Sequence, residues 1–118
     1  MLNHVLPLAA TAGLFLSVAI PSAQARPYLY VDVFEHGGSV KQCLDGAEAV
    51  LIDLGFTEDL GRDRIGEKQG SVSGQMESDA VSAEIYCDQK LGVTSIGVAG
   101  LDNDLSYEKY TALFDAEW

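Results

Sequence analysis

The chain has 118 residues, 18 acidic against 7 basic side chains for a formal net charge of −11, 47% hydrophobic residues and two cysteines. That length bounds it to one small domain, and the apolar content excludes a disordered chain. So acidic a surface repels nucleic acid and anionic lipid, which excludes phosphate-backbone binding and favours cationic partners or metal ions.

Residues 1–25 contain no Asp, Glu, Lys or Arg. From Val5 to Ile20 the stretch is apolar, broken only by Pro7 and small polar residues, and Pro21, Ser22 and Ala23-Gln24-Ala25 follow. This is an h-region and an A-x-A cleavage site, too short for a comfortable membrane span and with no cysteine after it to accept a lipid. The segment departs from the usual pattern in carrying only His4 and the α-amino group where Lys or Arg are customary. A signal peptide over 1–25 is therefore expected, with an uncleaved anchor or a misassigned start codon as the alternatives. A single α+β domain over 26–118 would then be exported to the periplasm or the extracellular space, without membrane contact after cleavage. The whole charge of −11 then sits on 93 residues.

Export sets the redox context. In an oxidising compartment two cysteines in a small domain pair, so a Cys43–Cys87 disulfide is expected. Closing a loop of about 44 residues stabilises a fold by up to about 4 kcal/mol in the chain-entropy treatment.

Tyr28 to Glu35 alternates, with Leu29, Val31 and Val33 on one face and Tyr28, Tyr30, Asp32 and Phe34 on the other, which predicts a strand. Gly37-Gly38 ends it. Ser39 with Gln42 three residues on forms a capping box, and Val40, Cys43, Ala47, Val50, Leu51 and Leu54 then follow helical spacing as far as Gly55. Thr57 to Gly70 is polar, holds three glycines and interleaves Arg62, Arg64 and Lys68 with acids, so it reads as a solvated loop. Ser71 to Glu77 reads as a weak strand, and Val81 to Cys87 as a clearer one with Val81, Ala83, Ile85 and Cys87 on one face. A turn from Asp88 to Gly92, a strand from Val93 to Ala99 and a turn from Gly100 to Asp104 follow. The final helix is expected from about Leu105, with Tyr107, Tyr110, Leu113, Phe114 and Trp118 on one face.

The order β-α-β-β-β-α predicts a two-layer α+β sandwich, a mostly antiparallel sheet with both helices on one face. Cys43 on the core face of the first helix and Cys87 in phase with Ile85 would staple helix to sheet. Strand parity then puts Tyr28, Tyr30, Phe34 and Tyr86 together on the opposite face, open to water unless the 57–70 loop covers it.

With Cys43-Leu44, Ala47, Leu51 and Gly55-Phe56 on the helix, then Ala83-Glu84-Ile85-Tyr86-Cys87 and Val98-Ala99-Gly100, the chain resembles small exported bacterial α+β proteins of unknown function. The resemblance spans most of residues 28–116. It implies a periplasmic or secreted domain without an assigned activity, and it carries over no catalytic residues.

Four places invite chemistry. At the strand-to-helix junction, His36, Gly37, Gly38 and Ser39 precede free helix amides and could receive an anion, although the phosphate-loop spacing is absent and an ordinary N-cap explains the same residues. His36 with Glu35 is too small a set for zinc. Cys43 in the first helical turn would be an acidified thiol if unpaired, but no C-x-x-C is present. Asp102-Asn103-Asp104 with Glu108 starts like a calcium loop and fails at Tyr107 and Leu113, so capping by Asp104 or Ser106 is the simpler reading. The fourth is the aromatic face of Tyr28, Tyr30, Phe34 and Tyr86, whose acidic neighbours Asp32 and Glu84 suit a protein contact or a homodimer rather than bases.

No constellation of nucleophile, base and oxyanion donor stands out, and no catalytic residue, metal or cofactor is assigned. The expected function is an exported acidic binding or interaction domain, using the sheet face against a protein partner or a second copy. The alternatives are a small enzyme or anion binder at residues 36–39, and an inhibitor of a cationic exported protein.

Overall fold

A computed structural model describes residues 26–118. The segment expected to be a signal peptide, 1–25, lies outside the described residues. The elements are β1 (Tyr28–Glu35), α1 (Val40–Asp53), β2 (Glu58–Gly66), β3 (Gln69–Gln75), β4 (Val81–Asp88), β5 (Val93–Gly100) and α2 (Asn103–Asp115). They build one antiparallel sheet in the order β1-β5-β4-β3-β2. Helix α1 lies over β3 and β4, and α2 over β5 and β1, both on the same face. This is the expected α+β arrangement with one strand more.

The additional strand is β2, which occupies the segment expected to be a loop. It escapes a period-two reading because it is an edge strand, exposed along nearly its whole length, so no row of apolar side chains marks it. Its register against β3 is also interrupted between Glu58 and Gly61 and between Arg64 and Gly66. The backbone ladder to β3 and the half-buried Leu60, packed on the core, hold it, and an ionic contact joins it to α1. Arg62 reaches α1, with Nη1 2.8 Å from Asp45 and Nη2 2.6 Å from Glu48. Asp45 also pairs with Lys41 at 2.7 Å, one helical turn away.

Helix α1 begins as its sequence dictates. Ser39 Oγ accepts from the Gln42 amide while Gln42 Oε1 accepts from the Ser39 amide. Its inward stripe of Val40, Cys43, Leu44, Ala47 and Leu51 meets Val72, Ile85 and Ile96 of the sheet. Leu113 closes the core from α2, and Phe56 from the α1–β2 connection. Each of the Val, Leu, Ile and Phe side chains among them contributes about 1.5–3 kcal/mol by leaving water. Phe56 lies so near β3 that a Cβ on Gly74 would sit 2.5 Å from its carbonyl oxygen, so the crossing needs glycine there.

Cys43 and Cys87 form a disulfide with Cα atoms 6.1 Å apart, joining α1 to β4 inside the core. A disulfide sulfur carries no proton, so the buried Thr94 hydroxyl donates to Cys43 Sγ at 3.3 Å. The bridge closes a separation of 44 residues, for which the chain-entropy treatment gives about 4 kcal/mol. The double substitution Cys43→Ala/Cys87→Ala is expected to lower the thermal midpoint by more than about 10 °C. Calorimetry showing an unchanged midpoint would contradict a structural bridge.

Candidate functional site

The two faces of β1 are both apolar, and the fold chooses between them. The aromatic row turns inward, against α2. Tyr30 stacks on Tyr110 at 5.6 Å between centroids and meets Tyr107 edge-on at 5.4 Å, while its hydroxyl donates to Asn103 Oδ1. Phe34 sets its edge against Trp118 at 5.3 Å and Phe114 at 6.1 Å. Between them Asp32 accepts from the Tyr110 hydroxyl through Oδ2 at 2.7 Å and from the Val33 amide through Oδ1 at 2.8 Å.

This corrects the expected aromatic face. Tyr30 and Phe34 pack on the helix side, and Tyr28 shares their parity at the exposed start of β1, opposite the buried Gly100. Tyr86 alone of the four lies on the open side, half-buried between Ser71 and Ser95 in the register. The physical reason is complementarity. Four aromatic rings on and just beyond α2 offer edges and faces to aromatic partners, and Asp32 gains two hydrogen bonds that an outward carboxylate would lack.

The aliphatic row is left facing water. Leu29 and Val31 are each 66% exposed and Val33 57%. A parity that turns the aromatic row outward would place these three in the core. The signal available in the sequence was that neither row of β1 is polar, so parity alone could not choose.

Behind this row the open face is concave. Val31, Gly97 and Glu84 are neighbours across β1, β5 and β4, and the missing side chain at Gly97 lowers the floor between them. A cavity of about 630 Å³ runs from Val31 and Val33 to Tyr86. A second, of about 430 Å³, shares Glu84 and Gly97 and continues past Ser82 toward Leu29. Glu35, Asp63 and Glu84 lie on this side by register, and no Lys or Arg occupies a strand position there. Arg62 and Arg64 pair with Val72 and Gly70, on the helix side. The segment 57–70, the alternative cover for this face, instead extends the sheet as β2 at its far edge.

The strand-to-helix junction is filled from within. The Gln42 amide is taken by Ser39, the Val40 amide donates to Gln89 Oε1 at 2.9 Å, and the His36 amide donates to the Gly92 carbonyl at 2.9 Å. The crevice lined by His36, Gly38 and Ser39 has a volume of about 0 Å³, which leaves a ligand no room. Both cysteines being bridged, no thiol nucleophile exists among the described residues. Asp102, rather than Asp104 or Ser106, caps α2, accepting from the Leu105 amide at 3.1 Å, and the helix starts at Asn103. Among the described residues no three His, Cys, Asp or Glu side chains converge to hold a metal ion, and no helix is long and apolar enough to cross a membrane. No protein-family model matches the chain, and neither a curated protein nor a solved structure shows significant similarity to it.

The Tyr110 hydroxyl, and after it the Val33 amide, hold the Asp32 carboxyl below the usual carboxylate range. The same pairing raises the Tyr110 phenol. An acid whose folded pKa is depressed adds stability above its unfolded pKa and loses it as pH falls through the folded value. Asp32→Asn is therefore expected to melt below the wild type at pH 7, the gap closing as pH falls below about 4. A gap that stays constant down to about pH 2.5 would show that the carboxylate charge is not what anchors β1 to α2.

Proposed function

We propose that this chain is an exported acidic interaction domain that engages a protein partner through the open face of its sheet. The observation that carries the reading is the row Leu29, Val31 and Val33, exposed to water beside a groove whose charged side chains are all acidic. Apolar side chains scattered singly over a surface need no explanation, whereas a contiguous row bordering a concavity is the form an interface core takes. The buried disulfide fits folding in an oxidising compartment, in keeping with the export pattern of residues 1–25. The sign of the charge favours a cationic partner, attracted over a distance and more weakly as salt rises.

The test is capture from the exported fraction of the source cells, with Leu29→Ser/Val33→Ser as bait beside the wild type. Both positions are solvated, so the variant should keep the wild-type thermal midpoint. It is expected to retain at least about tenfold less of any partner, while Ile52→Ser, an exposed apolar change on α1, retains as much as the wild type. Equal capture by all three baits would refute the open face as the interface.

A further inference from the structure

The two edges of the sheet are built to opposite rules. An edge strand exposes unpaired amides and carbonyls, and proteins guard against unwanted pairing with charge, bulges and irregular register. The β2 edge carries all of these: Arg62, Asp63 and Arg64 in succession, two register shifts, and Asp59 at a φ of +52°. The β1 edge carries almost none. It pairs with β5 in unbroken register from Tyr28 opposite Gly100 to Glu35 opposite Val93. The ladder continues with the His36 amide bonded to the Gly92 carbonyl. Hydrogen-bonded pairs alternate in an antiparallel ladder, so even-numbered residues of β1 bond to β5 and the backbone groups of Leu29, Val31, Val33 and Glu35 point outward. Of the outward amides only that of Val33 bonds to another described residue, Asp32 through Oδ1.

From this we infer that the β1 edge accepts an added strand, an extended segment of a partner protein in which apolar residues alternate with Arg or Lys. Its apolar side chains extend the row of Leu29, Val31 and Val33 over the open face. The intervening side chains fall on the helix side, beside the Asp32 carboxylate and the exposed rings of Tyr107 and Phe114, where a guanidinium finds both an anion and aromatic faces. Main-chain bonds provide attachment and the alternate side chains provide selection, the physics of strand addition at a sheet edge. A second copy is the poorer occupant, because pairing β1 with β1 sets two chains of net charge −11 against each other and brings their Asp32 carboxylates together.

The inference rests on the open face being the interface and adds to it the edge and the partner's chemistry. The probe is a short blocked peptide alternating valine and arginine, with glutamate replacing arginine as its control, read by amide hydrogen exchange on the disulfide-intact chain. The arginine peptide is expected to slow exchange at Leu29 and Val31 at least about tenfold, with an affinity that falls as salt rises, and the glutamate peptide to do neither. Val31→Pro removes one outward amide at a position where an edge strand tolerates proline, and is expected to weaken binding at least about tenfold. The exchange pattern on the unaltered chain decides the matter should that variant fail to fold.

Any of four results would overturn the inference. They are no binding of the arginine peptide at millimolar concentration, binding that leaves both amides unprotected, equal binding of the glutamate peptide, and a dimer of the free chain in which those amides are protected. Partner capture that is lost in Leu29→Ser/Val33→Ser but kept in Val31→Pro would remove the edge and leave the face; capture kept in both would remove the two together.

Discussion

The docking of the inner row of β1 onto α2 determines everything the surface can do. Tyr30 on Tyr110, Phe34 on Trp118, and Asp32 held between Tyr110 and the Val33 amide lock one face of the strand against the helix. Because side chains alternate along a strand, that choice obliges Leu29, Val31 and Val33 to face water. The exposed apolar row is thus a consequence of the aromatic packing between β1 and α2. It also makes Asp32 a double agent, tying strand to helix while covering one of the outward amides of the edge.

The disulfide plays a complementary part. Helix α1 carries one aliphatic stripe and is pinned to β4 by Cys43–Cys87, which secures the half of the sheet that α2 does not reach. A domain of this size buries too little surface to be indifferent to a covalent tie. With α1 fixed, Arg62 can reach back from β2 to Asp45 and Glu48, so a strand with hardly any buried side chain still closes the far edge. One edge is therefore charged, irregular and unattractive to other strands, while the other is held by aromatic packing and left regular.

Much of the architecture was legible in the sequence because it rests on local rules. The Ser39–Gln42 capping box, the helical stripe ending before Gly55 and the phase of Val81, Ala83, Ile85 and Cys87 appear in the structure as their spacing implies. The failures have specific causes. Strand β2 is ionic and irregular, and an edge strand without a buried row leaves no period-two trace. The start of α2 was placed late because Asp102 and Asp104 are equivalent caps by sequence, and only the Leu105 amide distinguishes them. An open sheet face was anticipated, but with tyrosines in place of aliphatics, because parity cannot rank two apolar rows and the decision lay with α2, some 70 residues away in sequence.

Which row of β1 faces water can be measured directly by nuclear magnetic resonance with a dissolved paramagnetic agent. Strong broadening of the Leu29, Val31 and Val33 methyl signals is expected, with the Tyr30 and Phe34 rings giving cross-relaxation to Tyr110, Phe114 and Trp118. Sharp methyl signals for those three residues, with the Tyr30 and Phe34 rings broadened instead, would mean that β1 is turned over and that the proposed surface does not exist.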